Sequence, residues 1–344
     1  MGITAAICAT GGRGQDVAPA LTATITRPIH PVLIRNEHGP LLRVIIEVPD
    51  KQAVTGRSLS VSLAGTNDLD ALASLTLFFT ADKTAFSPAV QFAERQKPAE
   101  TITFRGEQSL QPGRNVFWLS CRLKDTADQL HRVAASCPAI ETTAGKLRPR
   151  DESPAVQHRI GIALRRHNDD GVHTYRIPAL TTTAGGTLLC AYDMRRRTGR
   201  DLQGDIDIGL SRSADRGRTW SKPENLTRKL KNEAWWLFAP SPQQGIQLAD
   251  GTLVMPSGGR HEKGVKFSTI MTSRDHGASW TVATPAYSGG SECQAVQLGD
   301  GSLMLNMRNE HEHVTLRTMR YLIHLLDRHG ATDRELRILR ERLR

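Results

Sequence analysis

The stretch SADRGRTW, residues 213–220, decides the fold because it occurs twice. Sixty residues later SRDHGASW, residues 273–280, repeats the pattern S-x-D-x-G-x-[TS]-W. In both copies the elements of a tight hairpin are in order. The carboxylate of Asp215 or Asp275 caps the turn, Gly217 or Gly277 takes the positive-φ position, and Trp220 or Trp280 packs the loop onto a sheet. These residues serve structure, not catalysis. A second motif is interleaved with the first: GGTLLCAYD (185–193), DGTLVMPSG (250–258) and DGSLMLNMR (300–308) each place a turn before a strand. Asp-Gly ahead of alternating residues is a strong hairpin signal. One copy of either motif carries little weight, but two interleaved repeats in phase indicate four-stranded blades of a β-propeller.

Upstream, the runs LLRVIIEV (41–48), LSVSLAG (59–65), SLTLFFT (74–80) and NVFWLSCRL (115–123) alternate with turn chemistry at the spacing of a β-sandwich. A sandwich domain is therefore expected over 30–145. The polar, proline-containing GKLRPRDESP (145–154) reads as a linker, and the propeller portion follows over 155–309. At about 45 residues per blade, that portion holds three to four blades. Beyond it, 310–344 predicts a helical C-terminal tail, with Leu316, Met319, Leu322, Ile323 and Leu326 on one face.

Composition narrows the function. With 39% hydrophobic and 23% charged residues the chain of 344 is ordinary for a globular protein. No run approaches the roughly 18 apolar residues of a membrane span, so no integral membrane association is expected. The net charge of +10 suits an anionic partner, but the distribution argues against nucleic acid. Eight arginines against four acids fall in 314–344, and no basic stripe interleaved with aromatics appears. Five cysteines without a CxxC pair indicate neither a zinc site nor a disulfide framework. GITAAICA (2–9) is a short, weak candidate signal peptide, so a secreted or periplasmic location is the expectation.

HTYRIPAL (173–180) poses the chemical question. Arg176 stands among strand formers, and a guanidinium with five donors that cannot lose its proton needs an anion opposite it. A structural salt bridge and a ligand carboxylate both meet that need, and these eight residues leave both open.

Taken together, YRIP (175–178), the two Asp boxes, AYDMRRRTGRDLQGDIDIGLSRS (191–213), SECQAVQL (291–298) and LNMRN (305–309) resemble a bacterial-type exo-α-sialidase over about residues 160–309. The first domain resembles the β-sandwich that precedes the propeller in one branch of that family. The resemblance implies an all-β fold, a sandwich followed by a six-bladed-type propeller that is incomplete here. It implies retaining hydrolysis of terminal α-linked sialic acid from glycoproteins or oligosaccharides, with no cofactor and no metal.

The resemblance also assigns roles. Arg176 matches the first arginine of the triad that grips the sialic acid carboxylate, and Arg308 the second. Arg196 matches a further arginine near that carboxylate; it is preferred over Arg195 and Arg197 on family spacing alone. A carboxylate on the anomeric carbon repels an anionic nucleophile, so sialidases use tyrosine, an exception among glycosidases. Glu292 matches the base that takes the phenol's proton. Asp201 matches the acid that protonates the leaving oxygen, in competition with Asp205 and Asp207. Trp235 and Trp236 serve equally well as pocket lining or blade core. The family's third arginine and its tyrosine lie well downstream of the position matched by Arg308, and here Tyr321 stands in an expected helix. A poor or inactive sialidase is the consequence, and a sialidase-like protein that binds an acidic sugar without turnover is the alternative.

Overall fold

The computed structural model describes residues 20–50, 52–153, 155–200, 205–309, 320–325 and 336–340. GITAAICA and Asp201 lie outside them. The chain divides into two compact units, Met1–Ala163 and Leu164–Arg344, both built almost wholly of strands.

In the first unit, alternation sets the sheets. Strand Gly39–Val48 buries Leu42, Val44, Ile46 and Val48 while the residues between them stay half-buried. It lies in a five-stranded sheet between Thr22–Thr26 and Gly113–Leu123, and Leu72–Phe79 follows on the far side of Gly113–Leu123. A four-stranded sheet of Gly145–Leu147, Ser136–Thr142, Val54–Ser62 and Thr101–Leu110 supplies the second layer. One apolar cluster, with Phe104, Phe117, Leu119 and Ile140 at its heart, holds the sandwich together.

The stretch expected as a linker is instead part of this unit. Gly145–Leu147 pairs with Ser136–Thr142, and Arg150–Asp151 runs parallel to Thr22–Thr26. Gln157–Gly161 joins a small sheet with Val32–Leu33 and Arg132–Ala134. Arg27 clamps the segment through Asp151, Nη1 to Oδ2 at 2.7 Å. Edge strands bond through their backbones, so a polar composition does not exclude them.

The second unit is a series of antiparallel sheets. The first runs Thr174–Thr182, Leu188–Arg195, Ile206–Ser213 and Glu224–Asn225. The second repeats that order with split outer rungs: Trp235–Pro240 and Ile246–Gln247 both pair with Leu253–His261, and Thr281–Val282 and Tyr287–Ser288 both pair with Lys266–Ser273. The third runs Gly290–Gln297, Leu303–Asn309, Arg320–Leu325 and Leu336–Arg340. Three blades of a partial propeller are thus present among the described residues. Leu253 and Met255 pack toward the first sheet while Val254 packs toward the third. A strand covered on both faces reads as the unbroken apolar run LVM rather than as alternation.

The Asp boxes are built as their spacing predicts. Asp215 Oδ1 accepts from Ser213 Oγ (2.8 Å) and Thr219 N (2.9 Å), Oδ2 accepts from Thr219 Oγ1 (2.6 Å), and Trp220 Nε1 donates to Gly217 O (3.1 Å). Asp275 makes the same bonds with Ser273 and Ser279. These donors, the Thr219 hydroxyl foremost for Asp215 and the Ser279 hydroxyl for Asp275, pull both carboxyls from the ordinary 3.8 down to about 2. Each turn needs two positive-φ residues: Arg216 (60°) with Gly217 (85°), and His276 (56°) with Gly277 (91°).

The helical tail is corrected. Arg320–Leu325 and Leu336–Arg340 are strands, and the rest of 310–344 lies outside the described residues. The spacing that looks helical also fits a period of two over RYLIHL. Strand Leu303–Asn309 offers a free edge for it, pairing Leu303, Leu305 and Met307 with Leu325, Ile323 and Tyr321. The helical setting that counted against Tyr321 goes with it. No helix of the described residues is long and apolar enough to cross a membrane.

Candidate functional site

One local device recurs in the second unit: the first strand of each sheet carries a β-bulge. In the first sheet Arg176 pairs with Asp193 but Ala179 with Ala191, so an extra residue is accommodated around Ile177. In the second, Trp235 pairs with His261 and Leu237 with Arg260. In the third, Gly290 pairs with Asn309 and Cys293 with Met307. Bulges bend a strand and re-aim its side chains. Ile177 takes φ 53°, a conformation that costs a β-branched residue of the order of 1–3 kcal/mol and persists only where the surroundings impose it.

The residues beside these bulges line one cleft of about 250 Å3, with Arg176, Ile177 and Arg195 from the first sheet, Leu237 and Arg260 from the second, and Glu292 and Arg308 from the third. Arg176 Nη1 and Arg195 Nη1 donate to the same acceptor, Gly199 O, at 3.3 and 3.0 Å. Arg195 also donates from Nη2 to Asp193 Oδ2 at 3.0 Å, with both side chains 4% exposed. Arg308 Nη1 donates to Glu292 Oε2 at 3.1 Å, and that pair is half exposed to the cleft. Glu292 is held by its neighbour: the buried Cys293 donates twice, its N–H to Ser241 Oγ (3.1 Å) and its thiol to Ser257 O (3.3 Å). Burial pushes that thiol up to about 11, so it stays a neutral anchor.

Five cations, Arg176, Arg195, Arg260, Lys266 and Arg308, line the cleft against two carboxylates, Asp193 and Glu292. The arrangement is suited to an anionic ligand of small size, held by planar forks rather than point charges. No group of three or more His, Cys, Asp or Glu able to hold a metal occurs among the described residues.

Of the residues expected at the site, Arg176, Glu292 and Arg308 come together. Arg196 does not join them. It donates from Nε and Nη2 to Asp207 Oδ2 at 3.1 and 2.8 Å and lines a separate groove with the exposed Trp236. Arg195 takes its place, because it shares the face of Asp193 on strand Leu188–Arg195, two residues apart. Counting by twos from Asp193 is the signal that finds it. Asp201 lies outside the described residues; Asp205 instead pairs with Arg197 at 2.9 Å, which leaves both competing aspartates in ion pairs. Trp235 belongs to the core and Trp236 to the surface.

Residues 157–320 match the BNR repeat-like domain, and residues 83–146 match the N-terminal domain of BNR-repeat neuraminidase. A sialidase of Bacteroides fragilis is 28% identical over 304 residues, covering 65% of this chain and 56% of its own. A sialidase of Micromonospora viridifaciens is 37% identical over 166 residues, 44% of this chain and 25% of its own. This chain therefore spans about half of the first relative's length and a quarter of the second's. In fold, the Hadza microbial sialidase Hz136 superposes with a TM-score of 0.67 at 23% identity, over 92% of this chain and 80% of that one.

Proposed function

We propose that the chain, which matches a BNR repeat-like domain and the N-terminal domain of BNR-repeat neuraminidase, is a bacterial-type exo-α-sialidase, releasing terminal α-linked sialic acid from glycoconjugates with retention. The observation that carries this reading is the shared acceptor of Arg176 and Arg195, with the Arg308–Glu292 pair lining the same cleft.

A sialoside bears its carboxylate on the anomeric carbon. Arg176, Arg195 and Arg308 present guanidinium donors to that carboxylate and hold it while positive charge develops on the ring, the kind of fixed electrostatic arrangement that lowers a barrier. Glu292 lies beside Arg308, placed to take the proton of an attacking tyrosine hydroxyl, whose oxygen would bond the anomeric carbon as the glycosidic oxygen leaves with a proton from the acid; the family resemblance implies that tyrosine, and none lines the cleft among the described residues. Asp201 remains the candidate acid for the leaving oxygen. The reading carries with it sialylated glycans as substrates and a secreted or periplasmic location, where such glycans are displayed. A binder without turnover has no use for Glu292 beside the clamp, and no observation favours that alternative.

A fluorogenic α-sialoside tests the proposal. Release of free sialic acid by the wild type, lost in Glu292→Gln, is the expected result; tight binding of the sialoside with no release over hours contradicts it.

A further inference from the structure

The bulge that carries Glu292 is held from outside its own sheet. In the third sheet the register shifts between Gly290 and Cys293, so Ser291 and Glu292 lie where the ladder with Leu303–Asn309 is irregular. Two serines of the second sheet reach across to this point. Ser268 Oγ, on strand Lys266–Ser273, donates to Ser291 O at 2.8 Å. Ser241 Oγ, one residue beyond strand Trp235–Pro240, accepts from Cys293 N at 3.1 Å. Ser291 O belongs to the peptide that precedes Glu292 and Cys293 N to the peptide that follows it, so one residue is gripped on both sides. Both serines are buried, while the carboxylate between their contacts is half exposed. Glycines make the approach possible: a Cβ on Gly290 would meet Ser268 Oγ at 2.5 Å, and one on Gly258 would meet Phe267 O at 2.9 Å and Ser291 O at 3.4 Å.

We infer that Ser241 and Ser268 are positioning residues for Glu292, fixing the two peptides around it so that its carboxylate stands beside Arg308 in the cleft. This rests on the sialidase reading, in which Glu292 is the base, and deepens it by naming what sets that base. Ser241 lines the cleft as well, but its hydroxyl is engaged by Cys293, with N at 3.1 Å and Sγ at 3.3 Å, so it serves the bulge rather than the ligand. A bulged strand lacks the regular ladder that sets the direction of a side chain elsewhere, and buried hydroxyls from the next sheet supply that restraint.

Kinetics and crystallography on the full chain test this together. Ser241→Ala and Ser268→Ala are each expected to lower kcat for a fluorogenic α-sialoside by about tenfold or more with KM within about threefold, because a displaced base costs rate while the arginines still hold the substrate. In a Glu292→Gln background the same substitutions should change the residual rate by less than about twofold, since no base is left to misplace. In crystal structures of the two alanine variants, the Glu292–Arg308 contact of 3.1 Å should open beyond about 3.5 Å. A wild-type kcat in both alanine variants overturns the inference, and so does a loss of undiminished size without Glu292, which marks a general structural effect. An alanine variant that does not fold is replaced by cysteine, a weaker donor and acceptor of similar shape. A loss of about threefold in kcat is then expected, and no loss overturns the inference. Failure of the wild type to release sialic acid overturns the sialidase reading itself. The crystal structures then decide the inference alone, and an undisplaced Glu292 carboxylate overturns it.

Discussion

Arg176 and Arg195, nineteen positions apart in sequence, donate to one carbonyl oxygen, that of Gly199, at 3.3 and 3.0 Å. A single acceptor fixes the spacing of two guanidinium groups at the cleft before any ligand arrives, and such preorganisation reduces the entropy lost on binding. Replacing either arginine by lysine keeps the charge but removes the planar fork. Sialic acid binding is expected to weaken by about 1.5–3 kcal/mol in each variant, read by calorimetry. Arg196→Lys is the contrast: its partner is Asp207 on a different groove, so affinity should move by less than about 0.5 kcal/mol.

Arg195 also has a structural role. It neutralises Asp193 where both are 4% exposed. Arg195→Gln leaves that carboxylate buried beside a neutral amide, and a loss of about 3 kcal/mol is expected in urea unfolding. Arg176→Gln, on an exposed side chain, should lower stability by less than about 1 kcal/mol while lowering affinity as strongly.

These two residues mark the limit of what the sequence revealed. The Asp boxes were legible because all their bonds fall within eight residues, so spacing alone specifies the geometry. The choice of Arg196 over Arg195 failed because it rested on family spacing, whereas the face a side chain takes depends on where its strand begins. The tail failed for a related reason. The apolar spacing of TMRYLIHLL satisfies a helix locally, and only the edge of Leu303–Asn309, a partner distant in mechanism from any local propensity, turns part of it into a strand. The bulges that aim Arg176 and Glu292 are a mismatch between two strands and leave no mark in either one alone.

The close approach at the cleft wall gives a stability prediction. A Cβ on Gly259 meets Leu237 O at 2.2 Å and Phe267 Cζ at 2.6 Å. Leu237 O is backbone and Phe267 is fully buried, so neither yields readily. Gly259→Ala is expected to cost about 1–3 kcal/mol and to lower the thermal midpoint, measured by calorimetric melting.

The Asp boxes set an acid limit. Asp215 and Asp275 titrate at about 2 in the fold against an ordinary 3.8. A depressed folded value means that the unfolded chain binds protons first, so their stabilisation is full above about pH 4 and is lost as pH falls toward 2. The melting temperature of the second unit should drop through that window. In the Asp215→Asn, Asp275→Asn double variant the drop should be shallower; an unchanged slope would show that other carboxylates govern acid unfolding.

The most direct test of the sialidase reading is the rate at which the purified chain releases free sialic acid from an α-sialoside, compared among wild type, Arg176→Lys and Glu292→Gln. Release by the wild type, reduced by about 10²–10⁴-fold in Glu292→Gln and at least tenfold in Arg176→Lys, is the result expected of a base and a carboxylate clamp in one cleft. Release at the wild-type rate by both variants would contradict it.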